Sequence, residues 1–186
     1  MRFFNKRNLK EKTKKIFSSI ENNLSPLDEE LAMEYLSWLD KKTLYLKKTY
    51  LKEGYKAQPD NLSRGDIVWC EFGINVGAEL SDFKTKGHYA LVWVIDLGNV
   101  IVIPLTSQKP NGNELSFDIG VIPGLNEKED VHSYLKMDAI RSVSKRRIGR
   151  MNGKINGKLS LDNSKIEEIK DIMYKTFIEW YWLYRG

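Results

Sequence analysis

The chain has little cysteine and no long apolar run, and both absences exclude classes of protein to which it could otherwise belong. Its 186 residues include a single cysteine, Cys70, which excludes an intramolecular disulfide and a cysteine-based metal site. No stretch reaches the roughly 20 apolar residues that a transmembrane helix needs, and the N-terminal segment lacks the apolar core of a signal peptide. We therefore expect a cytoplasmic protein, with Cys70 as a small core residue in the apolar run 67–70.

Acidic residues are scarce at the N-terminus, where positive charge is concentrated. The net charge is +5 and the pI about 9.1, values compatible with a nucleic-acid partner. The first fifteen residues hold Glu11 against seven basic residues, namely Arg2, Lys6, Arg7, Lys10, Lys12, Lys14 and Lys15. Two interpretations stay open: a solvated end that aids solubility, which we favour, or an arm that contacts a phosphate backbone.

A long helix is predicted between residues 26 and 52. Ser25 is placed to cap it, and Pro26 suits its first turn. A stripe typical of a coiled coil follows at alternating steps of four and three residues: Ala32, Leu36, Leu39, Thr43, Leu46 and Tyr50. This stripe has to be covered by the chain's own second domain, by a second copy or by a partner. We consider three roles for the segment, of which structural support is favoured over dimerisation and over inhibition of the second domain.

From residue 61 the pattern changes to β, so we divide the chain into an N-terminal helical extension, 1–60, and a second domain, 61–186. Val68, Cys70 and Phe72 alternate with their neighbours as in a half-buried strand. Further strands are predicted at 89–95, 99–105, 115–121, 133–137 and 139–143, the first two joined by a hairpin. Short strands separated by glycine turns are typical of a small barrel or sandwich. A helix predicted at 159–184 closes the chain, and we interpret its aromatic residues as core.

Five polar motifs are embedded in these strands. They are RGDIVWCEFG (64–73), GINVGAEL (73–80), HYALV (88–92), VIPLTSQ (102–108) and SYLKMDAIRSVSKRRIG (133–149), and GKLS (157–160) precedes the last helix. Together and in this order they resemble the motifs of the MazF/PemK family of toxin endoribonucleases, over residues 63–178. The resemblance implies a β-rich α+β fold, a small SH3-like barrel with a C-terminal helix, here carrying an N-terminal helical extension.

The resemblance also implies an activity. Members of this family are toxins of type II toxin–antitoxin systems, usually homodimers, which an antitoxin protein holds in check. They cut single-stranded RNA at specific sequences without a metal or other cofactor. The ribose 2′-hydroxyl is the nucleophile, and the products carry a cyclic phosphate and a 5′-hydroxyl. This chemistry needs a group that takes the 2′ proton, one that protonates the leaving oxygen, and donors that hold the phosphate.

The motifs supply the candidate site residues. The catalytic candidates are Lys136, Asp138, Thr106 and His88. The candidates for substrate binding are Glu79, Lys86, Ser107, Gln108, Tyr134 and Arg141. Lys136 and Asp138 stand two apart on a predicted strand, so their side chains are expected on the same face.

Structural interpretations stay open for several of these residues. Lys136 and Asp138 can form a solvent-facing ion pair. Thr106 can cap the end of a strand with side-chain hydrogen bonds. Arg141 can form a structural ion pair with Asp66.

One motif departs from the family pattern. The family has Arg-Pro before the Ala-Leu-Val strand, whereas this chain has His88-Tyr89: either His88 stands at the position of the arginine, or a one-residue gap leaves the arginine out. A histidine can replace the arginine as an acid, a base or a partial cation, and Lys84 or Lys86 can supply the missing charge. The alternative is a catalytically weakened barrel that serves as an RNA-, DNA- or protein-binding module.

Overall fold

The computed structural model describes residues 7–54, 58–84, 87–112, 114–128 and 130–179. The chain divides into two compact units, Met1–Lys47 and Lys48–Gly186. Among the described helices, none combines the length and the apolar character needed to cross a membrane.

The N-terminal unit holds helix α1 (Arg7–Leu24) and most of helix α2 (Glu29–Tyr50). The sequence analysis did not predict α1. Its partly buried residues recur at helical spacing and include Leu9, Thr13, Ile20 and Leu24. The basic residues between positions 10 and 15 therefore lie on a helix, and all of them are exposed, as the interpretation of a solvated stretch expects.

Helix α2 begins later than predicted. Asp28 caps it in place of Ser25, because the backbone N–H of Leu31 donates to Oδ1 of Asp28 over 2.8 Å. The Ser25 hydroxyl instead donates to the carbonyl oxygen of Asn22 over 3.0 Å, at the end of α1. Within its own unit the predicted stripe is not covered: none of the described residues of α2 is buried, and Leu46 is 71% exposed.

The second unit is an eight-stranded antiparallel sheet followed by helix α3 (Asn163–Tyr174). The strands are β1 (Asp66–Cys70), β2 (His88–Ile95), β3 (Asn99–Thr106), β4 (Ser116–Val121), β5 (His132–Lys136), β6 (Arg141–Ser144), β7 (Ile148–Gly149) and β8 (Leu159–Ser160). Their order is β4-β5-β3-β2-β1-β7, with β6 paired to β3 and β8 paired to β1. This architecture confirms the predicted β-rich α+β fold with a C-terminal helix.

The hairpin predicted between β2 and β3 is present. The backbone N–H of Asp96 donates to the carbonyl oxygen of Asn99 over 3.0 Å and closes the turn. The strand predicted at 139–143 begins only at Arg141, because Met137–Ala139 forms a 3-10 turn. Met137 and Ala139 are both buried in that turn, so their burial fixes the turn between β5 and β6.

Apolar side chains are buried on both faces of the sheet. Successive side chains of a strand point to opposite sides, so each strand contributes to two cores. The first core contains Ile67, Leu91, Ile103, Leu105 and Leu135, together with Ile169 of α3. The second core contains Val68, Cys70, Phe72, Ala90, Val92, Val102 and Val143. Cys70 is fully buried, and this burial raises the pKa of its thiol, so the prediction of a core cysteine is confirmed.

Helix α3 begins later than predicted because Leu159–Ser160 pairs with β1 as a strand. Ile169 of its predicted apolar stripe is fully buried, whereas Phe177 is 49% exposed. The helix continues as a π-turn at Lys175–Glu179. The aromatic residues Trp180, Tyr181, Trp182 and Tyr184 lie outside the described residues.

Candidate active site

The strand register brings Thr106, Tyr134 and Lys136 to one side of the sheet. Thr106, at the end of β3, lies directly opposite Tyr134 of β5. The neighbouring pair, Leu105 and Leu135, points into the first core on the other side. Because side chains alternate along β5, Lys136 projects to the same side as Tyr134.

Two more candidates reach this side through β2 and β6. Val102 of β3 lies opposite Val92 of β2 and opposite Arg141 of β6. Alternation along β2 and β3 therefore puts His88 and Arg141 on the side to which Thr106 points. Val92 and Val102 of this side belong to the second core, so we use the name polar face only for the five polar residues on this side: His88, Thr106, Tyr134, Lys136 and Arg141.

Lys136 and Asp138 form an ion pair at the edge of the polar face. Nζ of Lys136 lies 3.4 Å from Oδ2 of Asp138, and their side chains are 22% and 35% exposed. The prediction that both stand on one strand is wrong, since β5 ends at Lys136 and Asp138 belongs to the 3-10 turn. The turn nevertheless returns the carboxylate to the ammonium group, so the two charges meet.

The Thr106 hydroxyl stabilises the turn that follows β3. Its Oγ1 accepts the backbone N–H of Gln108 over 3.1 Å, as the strand-capping interpretation expects. A hydroxyl that accepts one hydrogen bond still carries a proton that it can donate. Ser107 and Gln108 are both exposed beside it.

His88 forms a hydrogen-bonded pair with Asp82, a residue that the sequence analysis missed. Nδ1 of His88 lies 2.8 Å from Oδ1 of Asp82, whose side chain is only 3% exposed against 28% for the histidine. The other carboxylate oxygen of Asp82 accepts the backbone N–H groups of Phe72 and Gly73, each over 2.5 Å. No periodic pattern marks Asp82, because it lies in the loop between β1 and β2.

Phe72 links His88 to Arg141. Its ring meets the His88 ring edge-on at 6.2 Å, and the Arg141 guanidinium carbon lies 5.4 Å from the centre of the same ring. The predicted ion pair between Arg141 and Asp66 is wrong. Asp66 instead accepts from Nζ of Lys158 over 2.7 Å.

A family model, that of the PemK-like, MazF-like toxin of type II toxin–antitoxin systems, matches residues 63–174, well over half of the chain. The chain belongs to this family. The match covers all eight strands and α3, and the two N-terminal helices lie before it. It confirms the resemblance on which the candidate site residues rest. A comparison with curated proteins found no match.

In this PemK-like toxin, His88 is the first residue of β2. Of the two lysines that were expected to supply the missing charge, Lys84 is exposed in the loop before β2. Lys86 lies outside the described residues. Two other cations contact Phe72, the aromatic neighbour of His88: Arg141 lies over its ring, and Arg147 donates to its carbonyl oxygen over 3.4 Å.

The loop that carries Glu79 is held by its own hydrogen bonds. Nδ2 of Asn75 donates to the carbonyl oxygen of Leu80 over 2.6 Å, and the Ser81 hydroxyl accepts the backbone N–H of Asn75 over 2.9 Å. Glu79 is exposed on this loop. Its backbone N–H donates to the carbonyl oxygen of Val76 over 3.2 Å within the same loop, and the predicted role of Glu79 in substrate binding stays a prediction.

A second histidine–aspartate pair lies on the strands beside Tyr134. Nδ1 of His132 is 2.9 Å from Oδ2 of Asp118, and Asp118 lies opposite Tyr134. The backbone N–H of Gly120, and then His132, lower the pKa of Asp118. Among the described residues, no group of three or more His, Cys, Asp and Glu side chains could hold a metal ion.

Proposed function

We propose that this PemK-like toxin is an endoribonuclease that cleaves single-stranded RNA at specific sequences, without a metal, by attack of a ribose 2′-hydroxyl on the adjacent phosphate. The convergence of His88, Thr106, Lys136 and Arg141 on the polar face, from four different strands, carries the proposal. They supply a base, a hydroxyl donor and two cations, and the leaving oxygen takes its proton from water. DNA lacks the 2′-hydroxyl and is therefore not cleaved.

Four residues of the polar face have distinct roles in the proposal. His88 takes the proton of the 2′-hydroxyl, and Thr106 donates to a non-bridging phosphate oxygen. Arg141 can bind the phosphate through two N–H groups, whereas Lys136 acts as a point charge. Asp138, 3.4 Å from Nζ of Lys136, holds that ammonium group in place.

The proposed partners follow from the family. A toxin of a type II system is expected to bind an antitoxin protein, and we propose a homodimer, as the resemblance implies. The exposed apolar side chains of α2, Met33 at 56% and Leu46 at 71%, allow the N-terminal unit to contribute to self-association. Light scattering on the full chain measures the oligomeric state, and a monomer at micromolar concentration would contradict the dimer.

A second candidate function rests on the replacement of Arg-Pro by His88-Tyr89. A site without the family arginine can keep its affinity for RNA and lose its turnover. The protein would then be a binding module built on the same barrel.

Cleavage of a mixed-sequence single-stranded RNA in EDTA distinguishes the two functions. The full-length protein is expected to cut at defined sequences and to leave cyclic-phosphate and 5′-hydroxyl ends. An RNA with a 2′-deoxy substitution at the cut site should resist cleavage there, because it lacks the nucleophile. Binding of the RNA without any cut would favour the binding module.

The double variant Lys136→Ala/Asp138→Ala tests the site itself. We expect it to lose at least 100-fold in cleavage rate, the scale of removing charge stabilisation from a transition state. The matched control is Lys165→Ala/Glu168→Ala, which removes an ion pair of 2.6 Å on α3. Wild-type cleavage by the first double variant would exclude the polar face as the site.

A further inference from the structure

The buried carboxylate of Asp82 uses both of its oxygens. Oδ2 accepts two backbone N–H groups, from Phe72 and Gly73, each over 2.5 Å. Oδ1 lies 2.8 Å from Nδ1 of His88. The carboxylate thus joins the residues that follow β1 to the first residue of β2, in a place where its side chain is only 3% exposed.

This contact determines which nitrogen of His88 carries the proton. An ionised carboxylate accepts hydrogen bonds and cannot donate one, so Nδ1 of His88 must be the protonated nitrogen. In the neutral ring, Nε2 is then left as the acceptor. A hydrogen bond at one ring nitrogen therefore sets the chemistry of the other.

Two further contacts restrict the orientation of the ring. Phe72, whose own N–H binds Asp82, packs edge-on against His88 with ring centres 6.2 Å apart and planes at 63°. The same aromatic ring carries the Arg141 guanidinium at 5.4 Å. Asp82 thereby holds the loop and the imidazole in one arrangement, beside the cation proposed to bind phosphate.

We propose that Asp82 is a positioning residue that keeps His88 in the tautomer with a proton on Nδ1 and presents Nε2 as the base for RNA cleavage. This inference rests on the proposed ribonuclease function. Nε2 takes the proton of the 2′-hydroxyl, a bond forms between O2′ and phosphorus, and the bond from phosphorus to O5′ breaks. O5′ takes a proton from water, and the imidazolium of His88 returns its proton to solvent, so the protons balance.

The variant Asp82→Asn tests the tautomer directly. The carboxamide oxygen is expected to take the position of Oδ2 and to accept the same two backbone N–H groups. The NH₂ group cannot take that position, because it would then face two other donors. Its NH₂ group then points at Nδ1 and donates to it, which moves the ring proton to Nε2. A long-range ¹H–¹⁵N correlation spectrum of the full chain reports which ring nitrogen is protonated. The chain has only two histidines, and His88→Gln assigns their signals.

We expect Nδ1 to be protonated in the wild type and Nε2 in Asp82→Asn. The variant should lose about 100- to 1,000-fold in kcat, the range of losing a general base, with little change in KM. The rise in cleavage rate with pH that comes from deprotonation of the base should disappear as well. A purely structural Asp82 would lower the folded fraction and leave kcat per folded molecule and the pH profile unchanged. Asp60→Asn, at an exposed aspartate paired with Arg150, is the control and should keep wild-type kcat.

The outcomes separate the inference from the function on which it rests. A wild-type protein that cuts RNA but carries the neutral-ring proton on Nε2 overturns the inference alone, even if Asp82→Asn does not fold. A folded Asp82→Asn with the switched tautomer and wild-type kcat also overturns it. A wild-type protein that makes no cut at all removes the ribonuclease function, and with it the role of Asp82 in cleavage.

Discussion

Replacing Asp66 with alanine should destabilise the second unit, because this carboxylate is the centre of a buried hydrogen-bond network. Asp66 is 1% exposed and accepts from Nζ of Lys158 over 2.7 Å and from Oγ of Ser160 over 2.6 Å. The backbone N–H of Ser63 donates to it as well, over 2.6 Å. Removing the carboxylate leaves an ammonium group that is only 11% exposed without its counter-charge.

The structure sets the size of the effect. Removing one partner of a buried ion pair raises the free energy of the folded state by about 3–5 kcal/mol. Lys158 keeps a hydrogen bond to the carbonyl oxygen of Asn61 over 2.6 Å, so we expect the lower end, about 3 kcal/mol. For a chain of this size, that loss corresponds to a fall in Tm of roughly 6–12 °C.

Urea unfolding at pH 7, followed by tryptophan fluorescence, measures this change, because Trp69 and Trp93 lie in the same unit as Asp66. Asp60→Ala is the control: its ion pair with Arg150 is exposed, so its loss should change the free energy of unfolding by less than about 1 kcal/mol. Adding Lys158→Met to Asp66→Ala should recover part of the loss. Equal effects of Asp66→Ala and Asp60→Ala would refute the reasoning.

Three further predictions concern the backbone at Gly157, the thiol of Cys70 and the carboxylate of Asp118. Gly157→Ala should lower the free energy of unfolding by about 1–3 kcal/mol more than Gly112→Ala in urea titrations. Both have φ near +70°, but only at Gly157 does the new Cβ meet side-chain carbon at 2.8 Å. Cys70 should resist a thiol reagent until the chain unfolds, because burial raises the pKa of its thiol; fast labelling of the native protein would contradict this. In His132→Ala, the pKa of Asp118 should rise by NMR titration but stay below its usual value, because a backbone N–H still binds it. The lowered pKa of Asp118 adds to the free energy of unfolding when the pH is above the usual pKa of an aspartate. This contribution is lost as the pH falls through the pKa of Asp118 in the folded state.

Local patterns predicted most of the sheet. The β-branched runs around Ala90 and Val102 form the strands β2 and β3, and the Asp96–Gly98 turn joins them as the spacing indicates. The apolar run at 67–70 likewise predicted a core position for Cys70. These features depend on residues adjacent in the sequence, so the sequence alone determined them.

The errors have separate physical causes, some local and one tertiary. Burial of Met137 and Ala139 bends the chain into a 3-10 turn, although the sequence there continues a strand pattern. Asp28 outcompetes Ser25 as the helix cap because its carboxylate reaches the N–H of Leu31. Helix α1 was missed because its charged residues dominate the sequence pattern and its apolar residues are widely spaced.

The candidate site divides in the same way. The ordered motifs determined the family and named His88, Thr106, Lys136 and Arg141, because each motif is a short contiguous stretch. Tertiary structure decided that these residues share one face, since strand register depends on pairing between segments far apart in the chain. It also decided the partner of His88. Asp82 accepts the backbone N–H groups of Phe72 and Gly73, which follow β1, whereas His88 belongs to β2. A hydrogen bond between a loop and a strand depends on the folded path of the chain, which no local spacing records.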